Sequence, residues 1–417
     1  MLAINGGTPI FTEPFPTWPA FSEETIRKAV EPLTSGRVNY WTGEVGVQFE
    51  NTWAEWNGST YAVSTTNGTS ALHTAIAALG IGPGDEVICP SYSFIASAFC
   101  ILQAGAQPVF VDVTEDHTLD PAAIEAAITE RTRGIVVVHL YGVVADMDPI
   151  MEVARRHDLK VIEDCAECFG GVYKGRKVGT IGDAGCFSFC QSKHFTTGGE
   201  GGMVVTDDEE LAWECRSFRD HGYDVRERLR LLEMEAKLMY IHRRVGFNYR
   251  MTEMQSQIGL TELARFDSWN LPNRRRNGRM LADALRDHPA VLHVPIDTNE
   301  RQNSYWWAPF VIDIDRLGCD TRTLVDAMTA EGVPAYRVLW PEMYLEQAFV
   351  ERKGFGRLNY PFDDPAARHI DYGSVVCKRA RWLSERTVSM FTHPVYEERH
   401  MEAYIKAFTK VAEHFLT

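Results

Sequence analysis

The chain has 417 residues, 45% hydrophobic and 24% charged, with a formal net charge of −15. That length leaves room for two or three domains, and the acidic balance repels phosphate backbones, which argues against nucleic-acid and anionic-membrane partners. Nine cysteines, an odd number scattered through strand-like segments, fit reduced thiols in a cytoplasm better than a disulfide framework.

The opening Met1-Leu2-Ala3-Ile4-Asn5-Gly6-Gly7 lacks the basic-then-apolar order of a signal peptide. No apolar run approaches the roughly 20 residues of a membrane helix. From residue 60 to 206 strand-like and helix-like segments alternate. Tyr61-Ala62-Val63-Ser64 reads as a strand and Ser70 to Leu79 as a helix. Strands follow at Asp85–Pro90, Pro108–Val113, Ile135–Leu140, Leu159–Asp164, Ala184–Cys190 and Gly202–Thr206. Continuous Val/Ile runs separated by helices predict an α/β domain with a mostly parallel central sheet covered on both faces. In such sheets ligands bind beyond the carboxyl ends of the strands.

Residues 208 to 265 carry a helical pattern, interrupted at His221-Gly222-Tyr223 and Phe247-Asn248-Tyr249-Arg250. A helix over 274–287 leads into a second αβ unit, with a strand near Ser304–Ile314 and helices near 321–331 and 399–416. The stretch from Gly354 to Tyr372 is rich in proline and charge and reads as loop. The expected division is a large domain over 1–265 and a smaller C-terminal αβ domain over 266–417. The basic runs Arg243-Arg244 and Arg274-Arg275-Arg276 read as solvated helix faces, as do Arg226, Arg228 and Arg230.

Three chemical features stand in chain order. Asn67-Gly68-Thr69-Ser70-Ala71 opens a helix; Gly68 removes a side chain where backbone must approach an anion, and Thr69 and Ser70 add hydroxyls to a helix start that favours negative charge. The plainer reading of the same turn is an N-cap. Asp164 ends a buried apolar strand, where a carboxylate needs a partner; a protonated pyridine nitrogen is one. Lys193 follows Cys186-Phe187-Ser188-Phe189 and precedes the glycine run Gly198-Gly199-Glu200-Gly201-Gly202. A phosphate cradle, an acid and an amine are the parts that hold pyridoxal 5'-phosphate (PLP), with Lys193 on the aldehyde and Asp164 on the ring nitrogen. Ser188 adds a hydroxyl for the phosphate, and Phe94 a ring to stack. Cys165 and Cys168 form a C-x-x-C, but no second ligand pair stands at zinc spacing, so no metal is expected.

Together these residues resemble the DegT/DnrJ/StrS family of PLP-dependent aminotransferases, over about Thr34 to Gly259 and more loosely beyond. Asn67–Ala71, Pro90-Ser91-Tyr92-Ser93-Phe94, Val138-His139-Leu140-Tyr141-Gly142, Ile162-Glu163-Asp164-Cys165-Ala166, Phe187-Ser188-Phe189 with Lys193, and Gly246–Met251 carry the resemblance. It implies PLP fold type I, with Lys193 and Asp164 catalytic. Gly68, Thr69, Ser70, Phe94, Glu167 and Ser188 then surround the cofactor, and Asn248 reaches the phosphate of a neighbouring subunit in a homodimer with shared sites. Glu167 departs from the family's Gln or His, so it is expected to be protonated, rotated away or reading substrate. Lysine rather than histidine at 193 favours amino transfer over the dehydration run by some relatives. The implied reaction moves an amino group from L-glutamate or L-glutamine to a cyclic ketone, a cyclitol or keto-sugar, in natural-product biosynthesis. The alternatives are a PLP-dependent sugar dehydratase or epimerase, and a non-enzymatic ligand-sensing regulator.

Overall fold

The computed structural model describes residues 1–233, 242–337 and 342–416. Seven strands within residues 61–206 build the main sheet: β1 (Tyr61–Thr65), β2 (Glu86–Pro90), β3 (Gln107–Val111), β4 (Thr132–Val138), β5 (Lys160–Asp164), β6 (Ala184–Ser188) and β7 (Gly202–Thr206). They form one sheet in the order β1-β7-β6-β5-β4-β2-β3. The pairs from β3 through β6 are parallel, and β7 runs antiparallel to both β6 and β1.

The near-continuous apolar runs follow from burial on both faces. Val63, Val87, Val136, Ile162 and Val204 meet residues of helices Gly68–Ala78 and Ala96–Gln103 in one core. Ala62, Ile88, Val137, Val161 and Val205 enter a second core with helix Met147–Arg156. Each fully buried Val or Ile contributes about 1.5–3 kcal/mol, and a one-residue slip would exchange the two faces. The register therefore holds the carboxyl ends of β4, β5 and β6 side by side, with Val138 opposite Asp164 and Asp164 opposite Cys186.

The second sheet is antiparallel, with β8 (Val291–His293), β9 (Trp307–Ile312), β10 (Ala335–Arg337) and β11 (Thr387–Phe391) in the order β8-β9-β11-β10. Helices Leu271–Leu285, Thr321–Ala330 and Glu398–Leu416 pack against it.

Two segments cross the division expected between residues 265 and 266. Leu2, Ile10, Phe11 and Phe15 join the core of the second sheet. The buried Glu331 carboxylate ties them there, accepting from the N–H groups of Ala3 (2.8 Å) and Ile10 (3.1 Å). Residues 343–383 go the other way: Tyr344, Phe349, Phe362 and Tyr372 pack into the large domain around Phe110. Much of 354–372 is irregular, as its composition suggests, yet Tyr372 is buried and its hydroxyl donates to Pro108 O at 3.0 Å. Aromatic anchors, not regular structure, hold this stretch.

Candidate active site

The ends of β1, β2, β4, β5 and β6 surround a cavity of about 480 Å³. Its lining includes Gly68, Thr69, Phe94, Asp164, Glu167, Ser188 and Lys193, so seven of the nine residues singled out from sequence meet in one place. The doubly wound sheet accounts for this, because each of those side chains follows or ends a strand at the same edge.

Helix Gly68–Ala78 starts against Ser188. A Cβ placed on Gly68 would lie 2.5 Å from Ser188 Cβ, so no other residue lets the helix start approach that strand end. The first i,i−4 bond of the helix runs from Ala71 to Asn67, which leaves the N–H groups of Gly68 and Thr69 outside the helical ladder. Ser70 has a different place. Its N–H donates to Asn67 Oδ1 (2.8 Å) and its hydroxyl bonds the Asn67 backbone, a reciprocal capping box. Ser70 is absent from the cavity lining. Asn248 is absent too; it is exposed and bridges to Asp220 outside the cavity.

Asp164 is 5% exposed and accepts from Ser97 Oγ at 2.7 Å and from the Ala166 N–H at 3.1 Å. Burial pushes its carboxyl above the usual range, despite those two bonds. Ser97 was not singled out from sequence; its spacing of four from Ser93, whose hydroxyl it meets at 3.2 Å, is the signal that was available.

Lys193 sits on a turn beyond β6. Its Nζ lies 2.8 Å from Glu167 Oε1 and 4.3 Å above the Trp306 ring. Glu167 is buried, and its other oxygen accepts the Tyr141 N–H at 3.0 Å. Tyr141 holds a positive φ of 59°, a costly conformation for a bulky residue that turns the chain just after β4. Trp306 and Trp307 complete the wall; their rings stack at 4.0 Å and 11°. Sequence reasoning passed over both, reading that segment only as a strand.

His139, Glu163 and Cys165 place three potential ligand atoms within 4.8 Å of one another. They are already satisfied. Glu163 accepts from His139 Nε2 (3.0 Å) and from the N–H groups of Gly179, Ile181 and Gly182. His139 Nδ1 accepts from the Ala145 N–H at 3.1 Å. Burial pushes the Cys165 thiol up, and that of Cys168 up to about 12, so neither is a ready thiolate.

The arginines also depart from expectation in part. Arg226 and Arg244 lie on the surface, paired with Glu210 and Glu214. Arg274 is fully buried instead of solvated. Residues 234–241 of that arginine-rich stretch lie outside the described residues.

A mostly parallel sheet with a buried aspartate, a lysine and a glycine-opened helix at its carboxyl edge defines a PLP enzyme of fold type I. The DegT/DnrJ/EryC1/StrS aminotransferase family model matches residues 19–370, and the chain belongs to that family. It is similar to the L-glutamine:scyllo-inosose aminotransferase of Streptomyces griseus, 41% identical over 419 residues, 96% of this chain and 90% of that one. It is also similar to the GDP-perosamine synthase of Caulobacter vibrioides, 49% identical over 231 residues, 54% of this chain and 59% of that one. Among solved structures, the aminotransferase from Psychrobacter cryohalolentis superposes with a TM-score of 0.87 at 35% identity, covering 97% of this chain and 100% of that one. The chain is therefore an aminotransferase of the PLP-dependent class. No helix among the described residues is long and apolar enough to cross a membrane.

Proposed function

We propose that this protein transfers an amino group from L-glutamine, or from L-glutamate, to a ketone on a polyhydroxylated ring such as a cyclitol, and does so with PLP held in the cavity around Lys193. The observation that carries the reading is the meeting of a buried carboxyl, Asp164, and an amine, Lys193, in the lining of one cavity. When bound, PLP supplies an aldehyde that condenses with amines and a ring that accepts the electrons of the donor's Cα–H bond.

The chain's own groups divide the remaining work. Asp164 would hold the ring nitrogen and keep it protonated, a cation that would favour the charged carboxylate in return. The N–H groups of Gly68 and Thr69 and the Ser188 hydroxyl would hold the phosphate, where a helix start favours a dianion. Phe94, 49% exposed, offers a ring face to cover. Lys193 Nζ would be the amine that binds the cofactor aldehyde and, when free, the group that moves a proton at the donor's Cα. Glu167, 2.8 Å away, holds the amine at the cavity wall.

The lining supports a neutral acceptor. Its charged members among the described residues are Asp164, Glu167, Glu200 and Lys193, a set poor in cations for a diphosphate. The indole faces of Trp306 and Trp307 suit the C–H face of a saturated ring. Full-length similarity to an inosose aminotransferase points the same way. Asn248 lies outside its own cavity and Ile26, Val30 and Leu33 expose apolar surface, which supports a homodimer with shared sites. We place the protein in the cytoplasm, where its nine free thiols stay reduced.

The test is product analysis. The loaded enzyme is incubated with L-glutamine and either a keto-inositol or a nucleotide-linked keto-sugar. Amination of the keto-inositol supports the reading; amination of the nucleotide sugar alone would replace the acceptor.

A further inference from the structure

The turn that carries Lys193 has no strand or helix ladder of its own. Three consecutive carbonyls of that turn instead accept side-chain N–H groups from distant parts of the chain. Ser192 O accepts from Trp306 Nε1 at 2.6 Å, Lys193 O from Trp18 Nε1 at 3.0 Å, and His194 O from Asn270 Nδ2 at 2.6 Å and Arg274 Nη2 at 3.4 Å.

Arg274 ties these donors to one another. Its Nε donates to Asn270 Oδ1 at 2.8 Å, its Nη1 to Trp306 O at 3.1 Å, and its guanidinium lies 5.1 Å from the Trp18 ring. It is fully buried, and its hydrogen bonds go to an amide oxygen and two backbone carbonyls, all neutral. Burial pushes its pKa down to about 9. An enclosed cation without a counter-charge is costly, and an apolar residue of similar volume would fill the space without that cost. What arginine adds is a rigid fork that reaches Asn270, the Trp306 carbonyl and the His194 carbonyl at once.

We infer that Arg274, acting with Trp18 and Trp306, is a positioning residue for the catalytic lysine. The clamp fixes the Ser192-Lys193-His194 backbone from the small-domain side, so that Nζ returns to one place each time it leaves and regains its bond. The inference rests on the reading of Lys193 as the PLP-binding amine. It matters because Lys193 reaches the cavity through a flexible side chain, and a backbone shift of about 1 Å can cost on the order of 100-fold in rate.

The experiment uses the full chain and three variants, Trp18→Phe, Arg274→Met and Arg274→Lys. Trp18→Phe keeps an aromatic ring and deletes the N–H to Lys193 O; Arg274→Met deletes the fork and is read only if it folds. Cofactor-free protein is mixed with PLP, trapped with borohydride over time, and the modified peptide is mapped. Thermal stability of the cofactor-free protein is measured alongside, then kcat and donor KM of the loaded enzyme. Trp18→Phe is expected to slow capture at Lys193 by about 10- to 100-fold. It should lower kcat by a similar factor while donor KM and melting temperature hold, and Arg274→Lys, which lacks the fork, should be slowed as Arg274→Met is. Capture and kcat at wild-type rates in folded Trp18→Phe would overturn the inference, as would a fall in melting temperature alone. If the wild-type protein captures no PLP at Lys193, the cofactor reading fails first and this inference falls with it.

Discussion

Glu167 Oε1 stands 2.8 Å from Lys193 Nζ, and its partner oxygen is fixed at 3.0 Å by the Tyr141 N–H. A carboxylate held from behind by backbone cannot easily turn away, so rotation, one of the outcomes expected for this position, is not what the structure adopts. Glu167→Gln keeps an acceptor for Tyr141 but removes the counter-charge from a largely enclosed ammonium. The cofactor-free variant should lose about 1–3 kcal/mol of stability, read by denaturant unfolding. The visible spectrum of its loaded form should change. An unchanged spectrum and unchanged turnover would remove Glu167 from the chemistry.

Asp164 makes a pH-dependent prediction. Burial raises its folded-state pKa, so the folded chain holds this proton more tightly than the unfolded chain does. Stability from this group is fully present below the unfolded value of about 3.9 and is lost as pH rises through the folded value. Asp164→Asn should remove that loss, making the cofactor-free protein at neutral pH at least as stable as the wild type, with the difference growing from acid to neutral. The loaded variant should be slower by about 100-fold or more. Thermal melts across pH, with and without PLP, check both signs.

Gly68 admits no side chain, because the added Cβ would sit 2.5 Å from Ser188 Cβ. Gly68→Ala should cost about 1–3 kcal/mol of stability through overpacking and weaken PLP binding, since the helix start must retreat from the strand end. Equilibrium dialysis against PLP measures the second effect; binding at wild-type strength would show that this close approach is not used.

The His139–Glu163–Cys165 group should behave as a hydrogen-bonded cluster. Glu163 already has four donors, and displacing them for an ion would leave three backbone N–H groups unpaired, that of Gly179 buried. Prolonged chelation should leave melting temperature and turnover unchanged. A drop in either, reversed by one metal, would contradict this.

Subunit mixing tests the proposed homodimer with shared sites. Lys193→Ala and Asn248→Ala proteins should each be inactive or nearly so as homodimers. Refolded together they should recover about a quarter of wild-type activity, because half the dimers are hybrids with one intact site each. No recovery would place Asn248 in its own subunit's work or none.

How much of this was legible in sequence varies with the kind of residue. The strands showed plainly, since burial on both faces demands unbroken Val/Ile runs such as Ile135–Val138. Helix Leu271–Leu285 was found close to its true place, yet the burial of Arg274 was not, because a triple-arginine run has the composition of a solvated face. Ser70 and its neighbours on the Asn67 turn share one composition for two jobs, anion cradle and N-cap; coordinates separate them. Trp306 and Trp307 lay hidden in a strand where aromatic residues are ordinary. The anchors Phe362 and Tyr372 escaped notice because the charge around them outweighed two aromatic rings.

The central claim is that Lys193 and Asp164 run amino transfer on PLP in this cavity. Its most direct test is the visible spectrum of the purified protein with PLP, before and after L-glutamine or L-glutamate. The account predicts a visible band that one of these amino acids bleaches and that Lys193→Ala abolishes. A band that persists in Lys193→Ala, or that neither donor alters, would contradict it.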